Sequence, residues 1–402
     1  MPSKEMESGS FRPGELQTAV AEMPDATGHV VALSGGGDST TLLLALHELR
    51  LDVPLRALHV GHGLHPDAPA WADRCRGLCR ELGVPLEVIE VEVADPDGRG
   101  LEAAAREARY SVLADNLGLG EMLLTGHHRD DQAETVMLHL MRGAGLDGLS
   151  GMASCRPFGA GWLARPLLGF SRAALRAWLE SQRRGWVEDP DNANLDRGRN
   201  YLRHRVFPLL EARWPGAAAL AARGAENLRD ARAALESWAR ESLSLALTPA
   251  GGGLRLDVVQ PLDGPRRRQV LRLWLRDAGL PAPDSRQLAE LEDQAFLDRE
   301  DAEVRVAWPG CEVRRFRGVL YAMTPLAPHE TGLELEWDTR QTLELPGHLG
   351  RLCLRGTDDP PAWRLQVGFR RGGEKIRLPG RDHHTDLKSL FQDLGVPPWE
   401  RD

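Results

Sequence analysis

Residues 29–46 read HVVALSGGGDSTTLLLAL: a short apolar run that stops at Ser34, three consecutive glycines, and an aspartate opening a second apolar segment. The first run has the length and β-branched content of a buried strand, and the second has the length of a helix. Glycines between them let the backbone come close to a bound group, while the free N–H groups and dipole of a helix start favour negative charge. Ser34 through Ser39 therefore form a candidate phosphate loop. In it the hydroxyls of Ser34, Ser39 and Thr40 can donate to phosphate oxygens, and Asp38 can cap the helix or hold Mg²⁺. Two familiar phosphate loops fail on residue type. The GxxxxGK[ST] loop needs a lysine, and none lies between Lys4 and Lys375; the GxGxxG fingerprint needs a glycine where Ser39 or its neighbours stand.

Outward from this loop, the runs HVVALS, PLRALHV, PLEVIEVEV and EMLLTG alternate with the helical stretches STTLLLALHELR, DAPAWADRCRGLCRELG and GLEAAAREARYSVLADNLG. Strands alternating with helices predict an α/β fold with a parallel sheet covered on both faces, whose ligands gather at the carboxyl ends of the strands. The fourth run leads into LLTGHHRDDQAETVMLHLMRG, which puts His127 and His128 at a strand mouth on the same edge as Ser34. Asp131 and Glu134 are three apart on the helix that follows, so their carboxylates share a face. Acids at a helix start also complement its dipole, and that role coexists with chemistry beside a phosphate site.

With 402 residues, 42% apolar and 27% charged, the chain has room for two or three domains. No run is long enough to cross a bilayer and the start lacks a signal peptide, which makes the cytosol the simplest address. Five scattered cysteines suggest no disulfide framework, and Cys75 and Cys79 with His62 and His65 fit no zinc-finger spacing. Residues 1–27 read as a mobile leader. Beyond SRAALRAWLESQRRGW the chain becomes mainly helical, with a hairpin-like break at Gly251–Gly253, and then turns to strand-like EVRVAW, EVRRFRGVLYAM and LELEW before a mixed tail.

A net charge of −9 argues against unspecific coating of nucleic acid but leaves room for local basic faces. One is RGRNYLRHR, with Arg197, Arg199, Arg203 and Arg205 beside Asn200, Tyr201 and His204. Guanidinium groups suit phosphate, and Tyr201 can stack on an unpaired base; packing between domains is the alternative. A second is Arg370, Arg371, Lys375, Arg377 and Arg381 with His383, His384 and Lys388, a set suited to backbone contact. Arg266–Arg268 read as a solvated helix start.

SGGGDS resembles the SGGxDS signature of the PP-loop, or N-type ATP pyrophosphatase, superfamily, which splits ATP between its α and β phosphates. Together with HVGHGLHPDA, EAAAREARY, GHHRDDQAET, DPDNANLDRGRNYLRHRVFPLL, RRGGEKIRLPG and LKSLFQDLGVPPWER, the chain from about residue 28 resembles the tRNA(Ile)-lysidine synthetase family. The resemblance implies a PP-loop catalytic domain over 28–215, a mainly helical domain over 216–328, and a small α+β tRNA-binding domain over 329–402. Family members usually continue past the PPW segment with more strand, which leaves an incomplete last domain as one reading. The implied activity joins lysine to C2 of the wobble cytidine of a CAU-anticodon isoleucine tRNA through an adenylated cytidine, at the expense of ATP and with Mg²⁺.

By the same resemblance Ser34, Gly35, Gly36, Gly37, Asp38, Ser39, His59, Gly126 and His127 bind ATP, and Asp38 holds the metal. Asp131 and Glu134 receive the lysine. Arg106, with Arg109 as the second choice, stabilises the adenylated intermediate. Arg199, Asn200, Arg203, Arg205, Arg370, Arg371, Lys375 and Arg377 bind tRNA, the tail set on its acceptor arm. The partners implied are that tRNA, L-lysine and ATP, without a membrane, and a homodimer is compatible with them. A thiolating relative would show a CxxC, which Cys75 and Cys79 do not form, and an ammonia-dependent synthetase would need no basic tail. A nucleotide-gated RNA-binding module would hold ATP without releasing pyrophosphate.

Overall fold

The computed structural model describes residues 10–401 except 62, 64, 92–100, 250, 297–303, 327–331, 355–361 and 379–382, with the backbone alone at 101–103 and 348. His62, Arg381 and the first nine residues of the expected leader lie outside the described residues. The chain divides into two compact units, Met1–Ala233 and Ala234–Asp402.

In the first unit the elements run α1 (Pro13–Ala21), β1 (His29–Ala32), α2 (Gly37–Leu49), β2 (Leu55–Gly61), α3 (Ala68–Leu82), β3 (Leu86–Glu90), α4 (Leu101–Asp115), β4 (Met122–Leu124) and α5 (Arg129–Met141). The short α6 (Leu146–Leu149), β5 (Cys155–Phe158), β6 (Gly161–Ala164) and α7 (Arg172–Ser181) follow. They form one six-stranded sheet in the order β3-β2-β1-β4-β6-β5, parallel except for the edge strand β5. Central strands buried on both faces must be apolar throughout, and Val30, Val31, Met122, Leu123 and Leu124 are each at most 1% exposed. Val31, Leu33, Leu42, Leu43, Leu124 and Leu175 share one core, while Val30, Leu58, Leu113, Leu123 and Leu163 share the core on the opposite face.

The chain builds outward from β1 to β3 and then returns to the other side of β1 as β4. That reversal opens a crevice at the carboxyl ends of β1 and β4, where the two motif-bearing loops emerge.

Residues 11–27 do not behave as a leader. Phe11 and Leu16 are buried, and the Phe11 ring meets Phe170 and Trp178 edge-on at 5.0 and 5.3 Å. Isolated apolar residues in a polar stretch give little periodic signal, yet here two of them anchor α1 to the core.

Helix α8 (Gly198–Tyr201), a π-helical turn at Leu202–Val206 and α9 (Phe207–Arg213) precede α10 (Ala217–Ala246), which runs through the division between units. In the second unit the strand-like stretches EVRVAW and EVRRFRGVLYAM do form strands, joined by an unexpected short one over 253–255. Strands β7 (Gly253–Arg255), β8 (Arg305–Trp308), β9 (Cys311–Phe316) and β10 (Val319–Met323) make an antiparallel sheet in the order β7-β10-β9-β8. The glycine-rich break at Gly251–Gly253 does turn as a short hairpin, with Leu247 bridged antiparallel to Leu254 and the Thr248 N–H donating to the Gly253 carbonyl at 2.9 Å, and its second arm β7 also pairs with β10. After α11 (Leu256–Val259), helices α12 (Gly264–Asp277) and α13 (Ser285–Ala295) supply Val270, Leu271, Trp274, Leu288 and Leu291 to a core shared with Val306, Val313 and Leu320. The tail holds small antiparallel pairs, β11 (Glu334–Asp338) with β14 (Arg364–Gly368), β12 (Leu343–Glu344) with β13 (Arg351–Leu352) and β15 (Lys375–Ile376) with β16 (Thr385–Asp386). Among the described residues no helix is long and apolar enough to cross a membrane.

Candidate active site

The loop after β1 is shaped by its own side chains. Gly35 has φ +85°, and a Cβ there would sit 3.2 Å from Cys75 Sγ and 3.3 Å from Val187 Cγ2, so conformation and space both call for glycine. Ser39 Oγ accepts from the Ser34 N–H at 3.2 Å, lies 3.0 Å from Ser34 Oγ, and donates to the Gly36 carbonyl at 3.1 Å. Thr40 is buried with its hydroxyl 3.4 Å from the Gly35 carbonyl. These hydroxyls, expected to face a phosphate, are engaged in folding the loop. The anion donors left at the start of α2 are its first backbone N–H groups, which have no partner within the helix.

The loop after β4 lies directly on that helix start. A Cβ on Gly126 would come 2.8 Å from the Asp38 carbonyl carbon and 2.9 Å from the Ser39 nitrogen. His127 Nδ1 is 2.9 Å from Thr125 Oγ1, and burial pushes its pKa down to about 4, so the ring is neutral at ordinary pH. His59, at the β2 mouth, is 5% exposed and donates through Nδ1 to the Leu33 carbonyl at 2.8 Å. Burial lowers its pKa as well, and its ring forms the floor behind the loop.

His128, to which the sequence assigns no role of its own, is the fully buried N-cap of α5. Its Nδ1 accepts from the Asp131 N–H at 3.3 Å, and its own N–H donates to Asp131 Oδ2 at 3.1 Å. With Nδ1 accepting, the proton sits on Nε2, which faces Asp38 Oδ2 at 3.6 Å and Asp131 Oδ2 at 3.5 Å without a hydrogen-bond partner. Burial pulls the His128 pKa down, but Asp38, Asp131 and Asp130 outweigh it and raise it above the usual value.

Asp131 and Glu134 do share one face of α5, as their spacing predicts, and both are buried. Arg203 reaches them from the π-helical turn. Its Nε donates to Glu134 Oε1 at 2.7 Å, and its Nη2 donates to Glu134 Oε2 and to Asp131 Oδ1, both at 3.1 Å. Arg199 adds a contact to Glu134 Oε2 at 3.5 Å and donates to Thr135 Oγ1 at 3.0 Å. Burial raises the Glu134 pKa despite Arg203, whereas for Asp131 the pull of His128, His127 and Arg203 overcomes burial and lowers it.

Two residues expected on an RNA face thus point inward: Arg203, and Asn200, whose buried amide donates to the Asp191 and Asn194 carbonyls at 2.8 and 2.9 Å. The wider helical turn alters which side chains face in, and His204 and Arg205 remain exposed. Arg106 is exposed with its guanidinium 5.0 Å above the Tyr110 ring, and Arg109 one turn on is more buried. In the second unit Arg370 contacts Glu374 at 3.3 Å and Arg371 contacts Glu334 at 2.9 Å, while Lys375 and Arg377 are exposed. Among the described residues no group of three or more His, Cys, Asp or Glu gathers as a metal site, and Cys75 and Cys79 are buried free thiols.

A glycine loop and a carboxylate-bearing helix that meet at a sheet's switch point define a PP-loop protein, and residues 14–210 match the PP-loop domain model. Residues 254–321 match the TilS substrate binding domain and 365–402 the TilS substrate C-terminal domain. The tRNA(Ile)-lysidine synthase of Alkalilimnicola ehrlichii is 44% identical over 97% of this chain and 89% of its own length. That of Xanthomonas campestris pv. campestris is 43% identical over 92% and 86%, and that of Coxiella burnetii 36% over 98% and 89%. The chain belongs to the tRNA(Ile)-lysidine synthase family.

Proposed function

We propose that this protein uses ATP to ligate L-lysine to C2 of the wobble cytidine in the CAU-anticodon isoleucine tRNA, releasing AMP and pyrophosphate. The observation that carries the reading is the position of His128. Its Nε2 lies within 3.6 Å of the phosphate-loop acid Asp38 and 3.5 Å of Asp131 in the carboxylate pair, so an anion site and an amine site share one crevice.

A ring carbonyl oxygen leaves poorly, and ATP supplies the adenylyl group that makes it a leaving group. The start of α2 holds phosphate through its backbone N–H groups and dipole. The residues present fit Mg²⁺ of the kind shared with a substrate. Asp38 offers one partly exposed carboxylate beside that helix start, and Mg²⁺ commonly takes one or two carboxylates with the rest from phosphate and water. The metal would neutralise charge on the departing pyrophosphate. His127, neutral in its buried setting, contacts nucleotide rather than pairing with it as a cation.

Asp131 and Glu134 receive the lysine ammonium. Arg203 balances them in the structure, so lysine entry exchanges one cation for another. The incoming amine, with an ordinary pKa of about 10.4, must lose a proton before it attacks. Glu134, whose pKa is raised by burial, is the group placed to accept it. Arg199 and Arg205, with Tyr201, line the approach for the anticodon loop, and Arg370, Arg371, Lys375 and Arg377 contact the acceptor arm. The address is the cytoplasm, where these substrates meet.

The deciding assay incubates the protein with ATP, labelled lysine and a CAU-anticodon tRNA transcript. Label is expected on the RNA only when ATP is present. Pyrophosphate release without label on the RNA, or ATP binding with neither, would refute the reading.

A further inference from the structure

The mouth of β4 and β6 carries positive charge that the carboxylate pair leaves unbalanced. Arg165 follows Ala164, which pairs with Leu124 of β4 and accepts the Thr125 N–H at 3.0 Å, so it stands one strand over from His127. It is 7% exposed. Its Nη1 donates to the Ala153 carbonyl at 2.7 Å, while its Nε is buried without a partner. The Nε of Arg109 on α4 is likewise buried without a partner. Arg106, one turn earlier, lies over the Tyr110 ring, and the hydroxyl of that tyrosine is a hydrogen-bond acceptor for Arg165, a neutral partner that leaves its charge without a counter-ion.

Among the described residues none of the three arginines forms an ion pair with a carboxylate, and Asp189, whose field reaches Arg109, stays beyond ion-pair distance. A buried guanidinium cannot shed its proton, so its desolvation is offset only by an anion or by further hydrogen bonds. Burial lowers the pKa of both Arg109 and Arg165, Arg106 adding to it at both and Arg156 at Arg165, while Tyr110 opposes the shift at each without overcoming it. Arg165 and Arg106 both help to hold the His127 pKa down, after burial, which is the larger cause.

We propose that Arg165, with Arg106 and Arg109, forms a second anion subsite of the crevice, separate from the phosphate loop, that takes one phosphate group during the reaction. The proposal rests on the lysidine reading for the identity of that phosphate. It comes either from the RNA backbone beside the reacting nucleotide or from the α-phosphate carried over from ATP. Arg165→Gln removes the charge and Arg165→Lys keeps it. If the RNA supplies the phosphate, Arg165→Gln raises the KM for tRNA at least tenfold, leaves the KM for ATP within twofold, and flattens the salt slope of tRNA binding by about one unit. If ATP supplies it, the same variant slows pyrophosphate release at least tenfold with tRNA affinity unchanged.

In either case Arg165→Lys recovers part of the loss, which a purely structural role would not predict. A separate arm needs no RNA: inorganic phosphate is expected to raise the melting temperature of the wild type more than that of Arg165→Gln. That arm stands even if no lysine is transferred, so the two readings fail separately. Should Arg165→Gln not fold, Arg109→Gln takes its place. Kinetics, salt slope and phosphate protection all matching the wild type would overturn the proposal.

Discussion

At Gly126 a single methyl group is too much, because it would press on the Asp38 carbonyl carbon at 2.8 Å. Gly126→Ala is expected to cost about 1–3 kcal/mol and to raise the KM for ATP, which urea melts and steady-state kinetics would check. Glu134 carries a different load. Glu134→Ala leaves Arg203 buried without its bidentate partner, and breaking such a pair costs about 3–5 kcal/mol. Asp131→Asn should instead raise the KM for lysine at least tenfold while the KM for ATP stays within twofold. His127 sets a pH dependence. Its folded pKa of about 4 lies below the unfolded 6.5, so between those values the unfolded chain binds the extra proton and stability falls as pH drops. His127→Gln is expected to lose less stability than the wild type between pH 7 and pH 4.5, and equal losses in denaturant melts would refute this.

At the scale of elements, strands β1 and β4 and the spacing of Asp131 and Glu134 were legible because burial on two faces and helical periodicity leave marks in the sequence itself. The inward turn of Arg203 was not, since a π-helical turn breaks the period from which facing is inferred, nor was that of Asn200, whose partners are carbonyls of the preceding loop. Arg165 was hidden for another reason. In the stretch LARPLL it looks ordinary, and a missing counter-ion is a property of what surrounds it in space. Strands β8, β9 and β10 were legible in EVRVAW and EVRRFRGVLYAM, whereas β7 was not, because three residues after a glycine run carry no alternation, and neither was α1, because its anchors are isolated. The outer side of α8 and α9 shows Tyr201 and Leu209 exposed, followed by an exposed Trp214 with Arg213 5.4 Å from its ring centre. Stacking on such rings is worth about 1–3 kcal/mol per base, so Tyr201→Ala or Trp214→Ala should raise the KM for tRNA by roughly 5- to 150-fold and spare the KM for lysine.

For the molecule as a whole, a net charge of −9 repels RNA at long range, and binding must come from local arginines. Affinity for tRNA should therefore fall steeply with salt, and Arg205→Ala should reduce the slope by about one phosphate contact; a flat dependence would exclude these surfaces. The buried sulfur atoms have a practical consequence. Burial pushes the Cys75 thiol up to about 12 and those of Cys79 and Cys311 up to about 11, and only the thiolate attacks an alkylating reagent. In the native protein these positions should resist iodoacetamide, while exposed Cys353 reacts at once and calibrates the reagent. Slow modification then times each opening event: Cys75 keeps time for the first unit and Cys311 for the second, with no probe added to the chain.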